Sequence, residues 1–247
     1  MKALREKNRA AQLAQMQRSQ QAQQTQAAEQ PQPEPAASAE QAAAPQTPAK
    51  RFKYVVEHLE EEIEGWSELE YRNMLANVGH GNLWLSHVSE SVARNPPASL
   101  AGAVVSTNSI QTWEGVDLSR VLLADPAATQ PLSPEDAGNY DYILFGGILG
   151  DDPPRDRTKE LRVMGFATRH LGKEQMTTDT AVLVSQIVLE KGVPLDQIDY
   201  VDRPEIKLGR RETVIMPFRY IRLPDGQPRL PPGMLEHLKR SNDLSLN

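Results

Sequence analysis

Between Phe52 and Gly192 short apolar runs of strand character alternate with segments of helical period, and this alternation restricts the fold more than any other feature of the chain. A helix placed between two strands has to carry the chain back across the sheet, so the strands run parallel and are buried on both faces. Phe52-Lys-Tyr-Val-Val-Glu57, rich in aromatic and β-branched residues, reads as the first strand. Ser67-x-x-Glu70 matches a capping box ahead of Tyr71, Leu75 and Val78 at helical spacing, with Gly79 closing the helix. Further strands are expected at 82–88, 119–124, 141–147 and 164–170. Helical segments are expected from Ser133-Pro-Glu-Asp136, over 155–162 and over 178–191, the last with Leu183, Val184, Ile187 and Val188 on one face and Gly192 at its end. The fold class is therefore α/β, a mostly parallel sheet with helices on both faces.

The two ends depart from this pattern. Residues 1–50 are dominated by Gln, Ala, Pro and Ser, with almost no large apolar side chain, and cannot bury enough surface to offset the entropy of ordering. They read as a disordered tail, in preference to a mitochondrial presequence, because Leu4, Leu13 and Met16 form no clear apolar face. The domain is expected to span 51–247. Its last sixty residues are less regular: Pro217 and Pro224 punctuate 212–223, and Pro231-Pro-Gly233 opens a terminal helix through Met234, Leu235 and Leu238.

Composition narrows the chemistry. The chain has no Cys, which excludes disulfides, thiolate metal sites and cysteine nucleophiles. Its five histidines fall into no metal-binding spacing, and neither a G-x-S-x-G elbow nor a phosphate-binding Walker loop occurs. No stretch approaches the roughly 20 apolar residues that cross a bilayer. Of the total charge of −6, the tail holds six Lys/Arg and four Glu, leaving the rest of the chain at −8. Such a body repels phosphate backbones and attracts basic partners.

Ligands of parallel sheets gather beyond the carboxyl ends of the strands, which directs attention to two loops. In Phe145-Gly-Gly-Ile-Leu-Gly-Asp151 three glycines directly after an apolar strand let a flat ligand lie against peptide groups. The spacing is G-G-x-x-G, not G-x-G-x-x-G, and as a bare motif a tight turn before Pro153-Pro154 accounts for it equally well. In Leu171-Gly-Lys-Glu-Gln-Met-Thr-Thr-Asp-Thr180, Thr177 or Thr178 is a natural N-cap, and the amides of the following first turn are able to hold carboxylates or hydroxyls; a pure capping role is the alternative. Lying at corresponding ends of neighbouring strands, the two loops point to one shared site. Among carboxylates the candidates are Glu57, Asp151, Asp152, Asp202 and Glu205.

Several blocks in combination carry a resemblance: Tyr54-Val-Val-Glu-His-Leu-Glu-Glu61, Phe145-Gly-Gly-Ile-Leu-Gly-Asp151, Gln175-Met-Thr-Thr-Asp-Thr-Ala181, Met216-Pro-Phe-Arg-Tyr220 and Pro232-Gly-Met234. Over Phe52 to Lys239 the chain resembles the eukaryotic and archaeal SPOUT-type methyltransferases, in the branch that holds fungal protein-arginine methyltransferases. The resemblance implies a SPOUT fold whose C-terminal part is tied in a trefoil knot, with S-adenosyl-L-methionine as cofactor. It makes Gly146, Gly147, Ile148, Leu149 and Gly150 one wall of the cofactor site, Leu171, Gly172, Met176, Thr177, Thr178 and Thr180 a second, and Pro217–Tyr220 a third. It further implies N-methylation of an arginine in a basic partner, a small-subunit ribosomal protein, in the cytoplasm. Direct nucleic-acid binding and a membrane are not expected, and monomer and homodimer remain equal alternatives.

A guanidinium acceptor stays protonated at any accessible pH, so carboxylates have to clamp its planar fork and take up charge as the methyl arrives. Asp151, next to the glycine turn, is the first expectation for that role, with Glu205 or Glu57 as partner. The competing readings are an RNA methyltransferase in which Arg203, Arg210, Arg211 and Arg219 meet phosphates, and a cofactor-binding ribosome-assembly protein without turnover. Deleting residues 1–48 is expected to leave melting temperature and cofactor affinity unchanged, since nothing in that segment resembles a packing face; a large fall in either would show that the tail packs on the domain.

Overall fold

The first strand, β1 (Lys53–Glu57), stands in the middle of the sheet. The computed structural model describes residues 51–58, 60–147, 158–209 and 212–245, all within the unit Pro48–Asn247. From β1 the chain crosses helix α1 (Gly65–Val78) to β2 (Leu83–Ser86), then passes α2 (Glu90–Arg94) to the short β3 (Val104–Val105). It returns to lay β4 (Val121–Ala124) and β5 (Tyr142–Phe145) on the other side of β1, and α3 (Lys159–Arg162) leads to β6 (Ala167–Arg169) and α4 (Thr178–Lys191). The six strands run in the order β3-β2-β1-β5-β4-β6, every neighbouring pair parallel. The α/β fold class expected from the sequence is the one observed.

Strand order reverses between β1 and β5: the chain leaves β1 toward β2 and leaves β5 toward β6. Their register, Tyr54 opposite Ile143 and Val56 opposite Phe145, brings the glycines after β5 level with Glu57. Alternate residues of β1 serve opposite faces. Tyr54 and Val56 join the larger core with Tyr71, Met74 and Val188 of α1 and α4, while Val55 packs with Ile110, Leu144 and Leu161 on the other face. That second face is covered by shorter pieces, α3 and the single 3₁₀ turn Ile110–Thr112.

Several boundaries moved. Residues 118–120 form a 3₁₀ turn capped by Asp117, so β4 starts only at Val121. Ser133-Pro-Glu-Asp136 does make a capping box with Pro inside, yet it opens a five-residue 3₁₀ helix, Pro134–Gly138, that ends where β5 must begin. Within the irregular C-terminal part lie β7 (Tyr200–Asp202), β8 (Glu205–Lys207), β9 (Thr213–Ile215) and β10 (Arg219–Ile221), paired antiparallel as β7 with β10 and β8 with β9, before α5 (Met234–Ser245). Strands of three residues are too short to leave a periodic signal. Among the described residues no helix is long and apolar enough to cross a membrane.

The expected capping box Ser67-x-x-Glu70 is displaced by one turn. The N-cap is Glu64, with Ser67 as its reciprocal partner, and Glu70 is buried inside α1. There its carboxylate accepts from Trp66 Nε1 at 2.5 Å and from the Asp179 amide at 3.2 Å, tying α1 to the first turn of α4. Asp179 is itself fully buried, its Oδ2 accepting from Asn73 Nδ2 at 2.8 Å. Burial, and then the neighbouring Asp179 carboxylate, push the Glu70 pKa well above the ordinary carboxylate value. Such a group keeps its proton in the folded chain after the unfolded chain has lost it. Its contribution to stability is thus fully present below about pH 4.3 and is lost as pH rises toward the folded value. Glu70→Gln is expected to flatten the fall of melting temperature between about pH 4.5 and 8; a variant with the wild-type pH profile would show that Glu70 is ionised in the fold.

Candidate functional site

A cavity of about 520 Å³ opens beyond the carboxyl ends of β4, β5 and β6. Its floor is Ala124-Asp125-Pro126 after β4 and Phe145-Gly146-Gly147 after β5, and its opposite wall is the loop Leu171–Met176 with Thr178 and Ala181 of α4. The apolar contribution of Phe145, Leu171 and Met176 suits a flat ring, while Asp125, Glu174 and Gln175 supply polar groups around it. Such a mixture, in a volume typical of ligand pockets, fits a nucleoside-sized amphipathic molecule. The absence of a Cβ at Gly146 and Gly147 leaves backbone available for contact. Gly172, at φ 118°, holds the facing loop in a conformation that other residues rarely adopt.

Asp125 has no counterpart among the expected site residues. It is buried at the end of β4, where Arg162 of α3 grips it through Nε at 2.5 Å and Nη2 at 2.7 Å. Thr158 Oγ1 and the Ala127 amide add bonds of 3.1 and 2.9 Å. The bound Arg162 guanidinium holds the Asp125 carboxyl below the ordinary carboxylate range. The pair seats α3 over the sheet end, and removing one partner of such a buried pair typically costs about 3–5 kcal/mol. A signal was present in the sequence, an Asp-Pro directly after an apolar strand, at the position where parallel sheets gather ligands.

The structure brings together part of the expected set. Gly146, Gly147, Leu171, Gly172, Met176 and Thr178 line the cavity. Thr177 and Thr180 turn inward instead: both are buried, and Thr177 Oγ1 donates to Thr180 Oγ1 at 2.8 Å. Ile148, Leu149, Gly150 and Asp151 lie outside the described residues. The first-turn amides of α4 are not free for a ligand, because Thr178 and Asp179 direct theirs to Glu70. Pro217–Tyr220 backs the second wall without lining the cavity: the Arg219 amide donates to the Gln175 carbonyl at 2.7 Å. Glu205 is exposed on β8, away from the residues of this cavity.

Glu57 sits on the other side of the β1–β5 junction. Its buried carboxylate accepts from Ser86 Oγ at 2.7 Å, and His87 Nδ1 lies 3.2 Å from its second oxygen. His87 is one of two residues other than glycine with positive φ among the described residues, at 58°. Glu57 and His87 border a second cavity of about 110 Å³, closed by Ser109, Gln111, Glu160, Leu161 and Met164.

Of the arginines of the RNA reading, Arg219 is held by the chain itself, whereas Arg203 is exposed with no side-chain partner among the described residues. Arg219 forms a two-pronged bond to Asp202, at 2.6 and 2.8 Å, and lies 4.8 Å from the Tyr200 ring centre. Arg169 pairs with Asp136 at 2.9 Å and Arg222 with Asp199 at 3.2 Å. Arg210 and Arg211 lie outside the described residues.

A parallel α/β domain with a large amphipathic cavity beyond the carboxyl ends of its strands, beside the point where strand order reverses, has the architecture of a binder of nucleotide-like ligands. The family described as protein arginine N-methyltransferase SFM1-like matches residues 53–245, and the chain belongs to it. It is 41% identical, over 209 residues, to protein arginine N-methyltransferase SFM1 of Saccharomyces cerevisiae, an alignment covering 79% of this chain and 98% of that one. The crystal structure of the yeast arginine methyltransferase SFM1 complexed with SAM superposes with a TM-score of 0.73 at 40% identity, covering 80% of this chain and 94% of that one. The same enzyme complexed with SAH gives a TM-score of 0.69 at 42% identity, covering 74% of this chain and 93% of that one.

Gly147→Val is expected to weaken calorimetric binding of S-adenosylhomocysteine at least tenfold, because a branched side chain takes up space at the cavity floor. Binding at wild-type affinity by a folded variant would move the ligand elsewhere.

Proposed function

We propose that the chain transfers a methyl group from S-adenosylmethionine to an arginine of a basic protein, a small-subunit ribosomal protein, in the cytoplasm. The large cavity beyond β4, β5 and β6 carries this reading, since its glycine floor and apolar wall suit the adenosine part of such a cofactor in a chain of the arginine-methyltransferase family. The residues proposed to face the cofactor are Gly146, Gly147, Leu171, Gly172, Met176 and Thr178, together with Ile148, Leu149 and Gly150, which follow Gly147 in the sequence. Bound there, the sulfonium supplies an electrophilic methyl.

The protein's part is to hold the acceptor nitrogen in line with that methyl, which is worth roughly 7 to 11 kcal/mol of the barrier. It also has to neutralise a guanidinium that cannot shed its charge beforehand. Carboxylates do both: Asp151 at the end of the glycine turn, partnered by Glu57 or by Glu205. Of these two Glu57 is better placed, because the β1–β5 register sets it opposite Gly146, one residue beyond Val56 and Phe145.

Electrostatics favour a protein acceptor over RNA. The described arginines near this end of the sheet are held by the chain's own carboxylates, Arg162 by Asp125 and Arg219 by Asp202, and the body bears a net −8 outside its first fifty residues. Phosphates meet few available cations on such a surface.

Methyl transfer from radiolabelled S-adenosylmethionine, followed on nuclease-treated and protease-treated lysate, tests the reading: label is expected in protease-sensitive material. Label confined to nuclease-sensitive material would sink it. Asp151→Asn is expected to retain cofactor binding while turnover falls about 10²-fold or more, the scale of losing one preorganised electrostatic contact; unchanged turnover would remove Asp151 from the mechanism.

A further inference from the structure

We infer that the second cavity, beyond β1 and β2, is the seat of the acceptor guanidinium, with Glu57 as its anchor and Glu160 as a second carboxylate. The inference rests on the proposed arginine-methyltransferase activity and gives that activity an acceptor site.

Size and donor set both suit this ligand. The cavity volume of about 110 Å³ corresponds to roughly three or four water molecules at about 30 Å³ each, close to a planar group of four heavy atoms with the start of its alkyl stem. Its polar lining is rich in acceptors, which a guanidinium with five N–H donors and no acceptor requires. Glu57 contributes a buried carboxylate and Glu160 an exposed one, Gln111 carries an amide oxygen, and the Ser109 hydroxyl is buried with no hydrogen-bond partner among the described residues. Leu161 and Met164 provide an apolar side against which a methylene stem can lie.

Glu57 is oriented as an anchor needs to be. Ser86 Oγ holds one oxygen and His87 Nδ1 the other, which fixes the carboxylate plane and leaves each oxygen a further lone pair for a two-pronged guanidinium. His87 reaches this position only through a backbone at φ 58°, a conformation costly for a residue with a side chain. Strain of this kind persists where the surroundings over-determine it, and it clusters at binding sites. His87 is a positioning residue on this account. Glu160 lines the same cavity, so the titratable groups around it are Glu57 on β1, His87 after β2 and Glu160 on α3.

Position relative to the methyl donor is set by the sheet. Glu57 follows Val56 and Gly146 follows Phe145 on adjacent parallel strands, so the Glu57 backbone stands beside the floor of the large cavity. α3 and its N-cap border both spaces, Arg162 and Thr158 lining the large one and Leu161 and Glu160 the small one, so on this account the acceptor nitrogen reaches the methyl along the Glu57–Gly146 edge of the sheet. The chain already displays the matching contact two strands further on, where Asp125 grips the Arg162 guanidinium.

The test uses the full chain and the histidine ring resonances, with His87 assigned by its loss in His87→Gln. Titration with N-acetyl-arginine amide is expected to shift the His87 signal saturably, and N-acetyl-lysine amide is expected to leave it in place. The dissociation constant for the arginine probe should rise at least tenfold in Glu57→Gln and severalfold in Glu160→Gln. Because Glu160 is exposed, its variant separates loss of the site from loss of the fold. In methyl transfer to protein, Glu160→Gln should raise KM more than it lowers kcat. An unmoved His87 signal, or protein labelling unchanged in both variants, would overturn this inference alone. Label found only in nuclease-sensitive material, with the arginine probe still bound at His87, would overturn the enzyme reading instead.

Discussion

Everything that positions the site follows from the parallel pairing of β1 with β5. This contact joins the first strand of the sheet to one that comes nearly ninety residues later, and it puts the strand-order reversal between them. Side chains from both strands enter both cores, so a shift of register by one residue would exchange their inward faces and expose Val56 or Leu144 to the wrong layer. With the register fixed, two consecutive chain exits, Glu57 and Gly146, are held side by side at the same edge. The large cavity opens on one side of that junction and the small one on the other.

A second tie holds the far wall. Glu70, in the middle of α1, closes the first turn of α4 by accepting its amides, so the loop Leu171–Met176 ends at a helix whose start is pinned to the opposite side of the core. Burying a carboxyl there is unfavourable in its charged form, which pushes the Glu70 pKa well above the ordinary carboxylate value. The arrangement gives the loop a rigid base while leaving its tip, with Lys173 and Glu174 exposed, at the cavity rim. Pro217–Tyr220 supports the same loop from behind, through the Arg219 amide.

Periodicity made the sheet and its long helices legible. Strands β1, β4 and β5 are continuous apolar runs because both their faces are covered, and α4 shows an apolar stripe ended by Gly192, which adopts the left-handed φ of 68° expected of a closing glycine. The glycine turn and the 171–176 loop leave β5 and β6, expected as neighbours from their order in the chain; β4 lies between them in the sheet, and its exit, with Asp125, enters the same cavity. What stayed hidden depends on contacts far apart in sequence. Ser67 and Glu70 match a capping box, yet burial against Asp179, 109 residues away, decides what Glu70 does. Glu57 and Glu205 are equivalent as letters; only the fold buries one beside a cavity and leaves the other exposed on a short hairpin. The positive φ of His87 left no readable sequence signal, because histidine, though enriched among the few non-glycine residues that adopt it, adopts it far too seldom for the residue type to announce it.

The single turn α3 connects these threads. Four residues cannot form a stable helix by themselves, because nucleation fixes several dihedrals for very few hydrogen bonds. Its position must therefore come from what it touches: Arg162 clasping Asp125 at the end of β4, and Leu161 entering the core beside Val55 and Leu144. The same turn lines both cavities, so the geometry of each is defined by the same anchors. A ligand that presses on one side of α3 acts on a wall of the other. For a displacement that requires donor and acceptor to meet in line, a shared bordering element of this kind ties the geometry of both spaces to the sheet and its Asp125–Arg162 clasp.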